Sequence, residues 1–178
     1  MLHRTAQERY EKLKNVFTRL KRNFNRDDLD DFIQTANSLR EWIKRDVTLT
    51  SEQKEALERF VVPQSVDWQI CHQIANQQKH VMEAKPRYKG ATGETVSIPM
   101  VTAVQVKPGG SGFMVPPLMR AVGAGEEITI EYDGKRTSAL AFVFRTFGHF
   151  HYIFEVAPIP PGERENSPSQ SWLEKILC

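Results

Sequence analysis

Cysteine is scarce in this sequence, with two among 178 residues, Cys71 and Cys178. They provide no disulfide framework and no Cys-x-x-Cys pair for zinc. Long apolar runs are absent too, since no stretch approaches the roughly 18 apolar residues that are needed to cross a bilayer. The first residues lead into a charged segment and not into an apolar export signal. We therefore expect a cytoplasmic protein that does not enter a membrane.

The motifs of the large enzyme families are also missing. The sequence contains no Gly-x-Ser-x-Gly elbow, no protein-kinase motifs and no dinucleotide-binding fingerprint. The glycine-rich run at residues 108–112 is not followed by the Lys-Ser/Thr pair of a phosphate-binding loop. These absences disfavour most enzyme classes, and we predict no cofactor.

The composition that remains is typical of an ordinary globular domain, with 40% hydrophobic and 26% charged residues. Helical periodicity dominates the first half. Apolar residues recur at steps of three and four over residues 4–24, and Asn25 is placed to cap a second helix. Thr50 and Gln53 form the pattern of a capping box for a third helix. A fourth helix is predicted over about residues 65–83.

After Pro86 the apolar period changes from 3.6 to 2, which predicts a small antiparallel sheet over about residues 95–132. The apolar segment from Ala139 to Phe154 is too long for an ordinary strand and has helical spacing, so we predict a final helix there. The fold class is therefore mainly α: an up-and-down helical bundle with a small antiparallel β insertion before the last helix.

Asp133-Gly134 allows two interpretations. It could be a hairpin turn that returns a strand from Lys135 onward, or it could close the sheet so that a helix begins near Thr137. For the whole chain, we predict one helical-bundle domain over residues 1–157, a Pro/Gly-containing linker over 158–171, and a short amphipathic tail over 172–178.

The charge distribution hides an asymmetry behind a net charge of +2. Residues 1–26 carry eight Lys or Arg against two Glu, whereas residues 27–60 carry nine Asp or Glu against five Lys or Arg. One interpretation is that neighbouring helices of opposite charge complement each other. The other is that the basic first helix binds nucleic-acid phosphate. The residues predicted to do so are Lys14, Arg19, Lys21 and Arg22.

The fourth helix concentrates polar chemistry on one side, in a stripe of His72, Asn76, Lys79 and His80. Cleaving RNA without a metal requires a base, an acid and a cation for the developing charge. Either histidine could be the base, Asn76 could orient an imidazole, and Lys79 could supply the cation. A solvated or partly buried structural face would have the same residues. The two histidines are eight positions apart, about 12 Å of helical rise, which disfavours a shared metal ion, and we predict no metal site.

The run Ile70-Cys71-His72-x-Ile74-Ala75-Asn76-x-x-Lys79-His80, with the segments 38–43 and 138–140, resembles a family of uncharacterised bacterial helical-bundle proteins over about residues 27–155. More distantly it is similar to the HEPN bundles. Many of these are dimeric, metal-independent ribonucleases of bacterial toxin and phage-defence systems. The resemblance therefore implies a helical bundle, RNA as a ligand or substrate, and a homodimer.

The HEPN ribonuclease signature is an Arg followed, after four to six residues, by a His. The fourth helix departs from it, because His72 stands where relatives often have Arg and seven residues separate it from His80. In the last helix, Arg145 and His151 satisfy an Arg-x5-His spacing, which implies a catalytic cation and a catalytic histidine.

Two function classes follow. The first is a HEPN-like protein that binds or cleaves RNA. The second is a non-catalytic interaction module, in which the bundle is a scaffold and the tail docks on a protein partner through Trp172, Leu173, Ile176 and Leu177. Convergence of His72, His80, Arg145 and His151 on an open cleft would favour the first class, and dispersal or burial would favour the second.

Overall fold

The computed structural model describes residues 5–60, 66–77, 87–89, 95–97, 101–107, 127–132, 135–169 and 171. Five α-helices are described: α1 Ala6–Arg22, α2 Arg26–Arg45, α3 Ser51–Phe60, α4 Val66–Gln77 and α5 Ala139–His151. The strands are β1 Arg87–Lys89, β2 Thr95–Ser97, β3 Val101–Lys107, β4 Glu127–Tyr132 and β5 Lys135–Ser138. The predicted fold class, a mainly α bundle with a small antiparallel sheet before the last helix, is confirmed. None of the described helices is long and apolar enough to cross a membrane.

The strands form two antiparallel groups, a β1–β2 pair and a three-stranded sheet in the order β3–β4–β5. Strand β5 pairs with β4 so that Tyr132 lies opposite Lys135. Of the two interpretations of Asp133-Gly134, the pairing therefore supports the one in which a strand returns from Lys135, although residues 133–134 lie outside the described ranges. The sheet extends past the predicted limit of residue 132, and the last helix begins at Ala139 instead of near Thr137.

The predicted helix starts are confirmed by their capping bonds. Asn25 Oδ1 accepts the amide N–H of Asp28 at 2.8 Å. Thr50 and Gln53 bond reciprocally, each side chain accepting the other's amide N–H, at 3.3 and 3.0 Å. Both patterns satisfy amide groups that a helix start leaves without an intrahelical partner. These caps could be predicted from the sequence because each joins residues that are only three positions apart.

The core is centred on aromatic side chains of α1 and of the last helical segment. Phe17 stacks on Phe147 with ring centroids 4.0 Å apart, and Phe144 meets the same Phe17 ring edge-on at 5.0 Å. About two turns earlier in α1, Tyr10 stacks on Phe154 at 4.4 Å. All five rings are buried. This aromatic cluster fixes the last helix against the first, although the two are far apart in sequence.

The last helix does not end at His151 but continues through a π-helical turn, Tyr152–Val156. Within this turn, the carbonyl of Ile153 accepts a hydrogen bond from Gln53 Nε2 of α3 at 3.1 Å. Extra turns of this kind often occur where a side chain inserts into the helical ladder. Gln53 thus has two functions, since its side-chain oxygen caps α3 and its amide nitrogen holds α3 to the last helix.

The segment predicted as a linker is folded back on the residues that end the last helical segment. A 3₁₀ helix covers Pro161–Asn166. Within it, the guanidinium group of Arg164 donates to the carbonyls of Ile159 and Ala157, at 2.7 and 2.9 Å. Proline content predicted a break in the helix correctly, but the bonds from Arg164 to main-chain carbonyls have no sequence signature. The described part of the segment therefore follows the bundle instead of leaving it.

Asp46, which follows α2, caps the start of α1. Its Oδ2 accepts the amide N–H of Ala6 at 2.8 Å. Its Oδ1 accepts the amide and hydroxyl groups of Thr48, at 2.9 and 2.6 Å. The Thr48 hydroxyl, followed by the amides of Ala6 and Thr48, lowers the pKa of this carboxyl group against the opposing effect of burial. The carboxylate thus serves α1 as a cap supplied by the end of α2.

We expect Asp46→Asn to lower the free energy of unfolding at pH 7 by about 1 kcal/mol, because the substitution removes a charged cap. Since the folded pKa is lowered, this stabilisation is present above the pKa of the unfolded chain and is lost as pH falls through the folded value. The difference between the two proteins should therefore shrink below about pH 4. Urea denaturation at pH 7 and pH 3 measures it, with Asp30→Asn as the control. A difference independent of pH would contradict the role of the Asp46 charge.

Candidate functional site

His72 lies between two asparagines where α4 packs on α2. Its Nδ1 is 2.9 Å from Asn37 Oδ1 of α2, and its Nε2 is 2.9 Å from Asn76 Nδ2, one turn further along α4. All three side chains are partly exposed. Gln34 of α2 also donates to the carbonyl of Ala75 at 3.3 Å, so side chains and main chain together join the two helices. The prediction that Asn76 orients an imidazole corresponds to this contact.

With the two amides oriented as they are, the contacts correspond to one tautomer of the His72 ring. A carboxamide oxygen can only accept, so Nδ1 donates to Asn37, and an amide nitrogen can only donate, so Nε2 accepts from Asn76. This is the neutral imidazole with its proton on Nδ1. The ring is therefore held at both nitrogens by uncharged groups, and the atom that a general base would use is the one bonded to Asn76.

Arg145 lies on the side of α5 that faces α4, where it forms a two-pronged ion pair. Its Nε and Nη2 donate to the two carboxylate oxygens of Asp67, both at 2.8 Å. A longer contact of 3.4 Å reaches Thr137 Oγ1 of β5. Asp67 raises the pKa of Arg145 further above its ordinary value, chiefly through these hydrogen bonds. Planar guanidinium and carboxylate groups match well in this geometry, so the pair ties α4, α5 and β5 together.

His151 faces α1 instead. Its Nδ1 is 3.2 Å from the hydroxyl of Tyr10, and its Nε2 is 3.3 Å from the carbonyl of Ser169. The carbonyl can only accept, so Nε2 carries a proton and donates to Ser169, whereas the Tyr10 hydroxyl contacts both Nδ1 and the Glu155 carboxylate. Burial lowers the pKa of His151, while the Ser169 carbonyl and Glu155 oppose this effect. Burial, reinforced by Glu155, raises the pKa of Tyr10.

The predicted catalytic residues of the last helix therefore do not meet. Arg145 and His151 are six positions apart, which separates them by roughly 120° around a helix. Their contacts are consistent with this angular separation. Arg145 bonds to α4 and β5, whereas His151 bonds to α1 and the C-terminal segment. His72 bonds to α2 and to its own helix. Lys79 and His80 lie outside the described residues, as do the predicted docking residues Trp172, Leu173, Ile176 and Leu177.

The predicted phosphate-binding residues divide into two pairs. Arg19 is paired with Asp28 at 2.7 Å and Asp31 at 3.0 Å, and Lys14 contacts Glu155 at 3.4 Å. These contacts agree with the interpretation that acidic groups inside the molecule balance the basic helix. Lys21 lies over the ring of Phe17 at 5.1 Å, and Arg22 is exposed. Within the described ranges neither of these two forms an ion pair, so they remain the part of the predicted surface that could meet an external anion.

Three partners of the candidate residues were not predicted: Asn37, Asp67 and Tyr10. Asn37 stands on a helix whose polar face has no distinctive pattern, and Asp67 is already explained by the preference for acidic residues in the first turn of a helix. Tyr10 fits the apolar periodicity of α1, and this pattern gives no indication that its hydroxyl group makes a polar contact. No local signal marks any of them. Residue pairs that vary together among relatives would be the signal to look for.

Two other titratable side chains near these contacts are built into the core. Cys71 is buried, with Sγ 3.5 Å from the carbonyl of Ile33, and burial raises the pKa of its thiol. Cys71 is therefore a small residue of the core. Burial also lowers the pKa of His149, which favours its neutral form. Among the described residues, no group of three or more His, Cys, Asp or Glu side chains is placed to hold a metal ion.

The described residues thus form one partly exposed polar row, Asn37–His72–Asn76, whose bonds are separate from the Asp67–Arg145 pair and the Tyr10–His151–Ser169 contacts. Comparison of the chain with protein-family models, with curated proteins and with solved structures finds no match.

Proposed function

We propose that the protein is a non-catalytic interaction module, in which the helical bundle is a scaffold that presents binding surfaces to a partner protein. The observation that supports this proposal is the dispersal of the candidate catalytic side chains. His72, Arg145 and His151 each bond to different neighbours, on α2, α4 and α1 respectively. Acid–base catalysis instead requires such groups to converge on one reacting bond.

The Arg145 contacts weigh against a role for it as a catalytic cation. The Nε and Nη2 groups of its guanidinium already bond to Asp67, whose side chain is only 12% exposed. If an RNA phosphate took the place of Asp67, this carboxylate would lose its partner while remaining largely out of water, which is costly. An ion pair of this kind fits a structural role better than a catalytic one.

The His151 contacts weigh against a role as a general base. In its neutral form the ring has one nitrogen that can accept a proton, and this nitrogen, Nδ1, is already in contact with the Tyr10 hydroxyl at 3.2 Å. Nε2 donates to the Ser169 carbonyl. The ring therefore acts as a link between α1 and the C-terminal segment. Together with the Arg164 bonds, it holds the chain against the bundle up to residue 169.

This attachment bears on the predicted docking tail. The apolar residues that follow in the sequence, Trp172, Leu173, Ile176 and Leu177, begin three positions after the carbonyl that His151 holds. A tail that starts from a fixed point loses less conformational freedom on binding than one on a free linker. The attachment therefore supports a scaffold that presents the tail at one place.

Deleting residues 172–178 is expected to leave the melting temperature within about 2 °C of that of the full chain, because Arg164, Ser169 and their bonds remain. A partner protein is first identified by pull-down with the full chain, and its binding is then confirmed with both proteins purified. The same deletion should abolish this binding. Deleting 163–178 is the matched comparison, since it also removes Arg164 and should lower the melting temperature. If the shorter deletion destabilises the bundle and no partner depends on the tail, the docking proposal is wrong.

HEPN-like RNA binding, with or without metal-independent cleavage, is the second candidate. The observation that favours it is the partly exposed His72, oriented by Asn76 on the helix whose sequence continues to Lys79 and His80. The test is incubation of the full chain with single-stranded RNA in EDTA. We expect no cleavage. Cleavage that is lost in His72→Ala or His80→Ala would overturn the non-catalytic proposal and establish the second candidate.

A further inference from the structure

An open cleft of about 420 Å³ lies between the end of α2 and one face of α3. Its volume is within the range of ligand pockets, about 300–1,000 Å³. The residues that line it are Lys44 of α2 and Lys54, Glu55, Leu57 and Glu58 of α3. Most of the lining is apolar, although Leu57 is the one apolar residue among these five. The methylene groups of the charged side chains therefore supply much of the apolar surface, and their charged ends are left at the rim.

Two of the four charged groups around this α2–α3 cleft pair with each other, because Lys44 Nζ lies 3.4 Å from Glu58 Oε1. Lys54 and Glu55 form no ion pair within the part of the chain that the structure describes. The α2–α3 cleft thus presents one ammonium group and one carboxylate group to an occupant, beside an apolar interior.

The tail of this chain has the chemistry that such a cleft would bind. Its sequence Trp-Leu-Glu-Lys-Ile-Leu, residues 172–177, places one acidic and one basic residue between two apolar pairs. On a helical turn with 100° per residue, the four apolar side chains would lie on one side, with Glu174 and Lys175 at its opposite edges. Insertion of the apolar side of a helix into a groove is a common form of peptide recognition. The tail and the cleft are therefore complementary in both apolar surface and charge.

The chain that precedes the tail is held by residues that do not line the cleft. His151 Nε2 bonds to the carbonyl of Ser169, and its Nδ1 contacts Tyr10 of α1. Arg164 bonds to main-chain carbonyls at the end of the last helical segment. None of the five lining residues takes part in these bonds. The tail therefore starts beside α1 and the last helical segment, whereas the cleft belongs to α2 and α3, which favours the cleft of another copy as its binding site.

We infer that the α2–α3 cleft binds the tail of a second copy of this chain. In this complex the apolar side of the tail covers the apolar interior of the cleft. Glu174 of the tail pairs with Lys54, and Lys175 pairs with Glu55. Each copy has one cleft and one tail, so two copies that exchange tails satisfy both. The inference rests on the proposed interaction function, since it names the partner that the tail binds.

Sedimentation equilibrium of the full chain over a series of concentrations tests this inference, with Cys178→Ser in every protein to prevent disulfide-linked dimers. We expect reversible self-association. Lys54→Glu and Glu174→Lys should each weaken it about tenfold, because each places like charges opposite each other. Lys135→Glu changes an exposed lysine of β5 that does not line the cleft. It makes the same change in net charge, is the matched control and should associate as the parent protein does.

Mixing the two charge variants tests whether the contact joins different copies. The unchanged tail of the Lys54→Glu protein fits the unchanged cleft of the Glu174→Lys protein, and in the other direction both charges are reversed and again attract. An equal mixture should therefore recover the parent affinity. Trp172→Ala leaves the cleft unchanged and should weaken association at least tenfold, because buried Trp side chains are frequent hot spots. It keeps the inference testable if a charge variant fails to fold.

The outcomes separate this inference from the proposed function. Self-association that the charge variants leave unchanged, or a mixture that does not recover affinity, would overturn the inference. A full chain that stays monomeric at every concentration would also overturn it, whether or not its tail docks on its own cleft. If the chain stays monomeric but a different protein binds through the tail, the inference is wrong and the interaction module stands. If the tail deletion destabilises the bundle and no partner depends on it, both are wrong.

Discussion

Replacing Phe147 with alanine is expected to lower the free energy of unfolding by about 4 kcal/mol. The side chain is buried and stacks on Phe17 with centroids 4.0 Å apart and planes 7° from parallel. It also lies 6.1 Å from Tyr10. Removing the ring leaves a cavity between α1 and α5 and deletes contacts with both aromatic partners. For a chain of 178 residues, we expect the melting temperature to fall by roughly 8–16 °C.

Urea denaturation and thermal melting followed by circular dichroism measure this loss. Thr18→Ala, at an exposed position of α1 next to Phe17, is the control and should change the free energy of unfolding by less than about 0.5 kcal/mol. Phe147→Leu should give an intermediate value, because leucine fills part of the volume. A loss below about 1.5 kcal/mol for Phe147→Ala would show that this ring does not sit in a packed core.

The aromatic cluster shows how far the sequence alone can predict the fold. Periodicity places Tyr10 and Phe17 on one face of α1, and it places Phe147 and Phe154 within the final helix. Both helices and their apolar faces could therefore be predicted. Which rings touch could not, because the stacking depends on the relative position of two helices that are more than 100 residues apart in the chain.

Capping bonds and tertiary bonds differ in the same way. The Asn25 cap and the Thr50–Gln53 box join residues three positions apart, so a short window contains both partners. The Asn37–His72 and Tyr10–His151 contacts join residues 35 and 141 positions apart. Such partners are identified only by packing, which a periodic pattern does not encode. This is why the stripe on α4 was predicted but the residue of α2 that holds it was not.

The β region shows a conflict between local and longer signals. Locally, Asp133-Gly134 has the composition of a two-residue hairpin turn, whereas the apolar run that follows favours a helix. The structure accommodates both, because β5 runs for four residues to Ser138 and α5 begins directly at Ala139. The alternative of a returning strand is therefore the one supported, and because this strand is short, the predicted final helix still follows it directly.

Arg145 shows that the spacing of two residues along a helix does not reveal the partner of either side chain. Its spacing to His151 resembles a ribonuclease signature, and both side chains are partly exposed. The spacing contains no information about Asp67, which lies 78 positions earlier and takes up the guanidinium group. Burial of Asp67 explains why Arg145 is its partner, since a carboxylate that is 12% exposed requires a partner within the molecule.

Arg145→Ala is expected to lower the free energy of unfolding by about 2 kcal/mol. Breaking a buried pair usually costs about 3–5 kcal/mol, and the value is reduced here because the Arg145 side chain is 40% exposed and partly screened by water. The loss arises mainly from Asp67, which would keep its charge without its partner. The melting temperature should fall by roughly 4–8 °C.

A double-mutant cycle distinguishes this structural role from a catalytic one. Adding Asp67→Ala to Arg145→Ala should cost less than the sum of the two single substitutions, because no unpaired carboxylate remains. Arg136→Ala is the control, since its pair with Glu131 is formed by an arginine that is 66% exposed and should contribute less than about 1 kcal/mol. A catalytic arginine that is not needed for the fold would behave differently. Arg145→Ala would then keep the parent melting temperature, the cycle would show no coupling with Asp67, and the ion pair would have to be rejected as the link between α4 and α5.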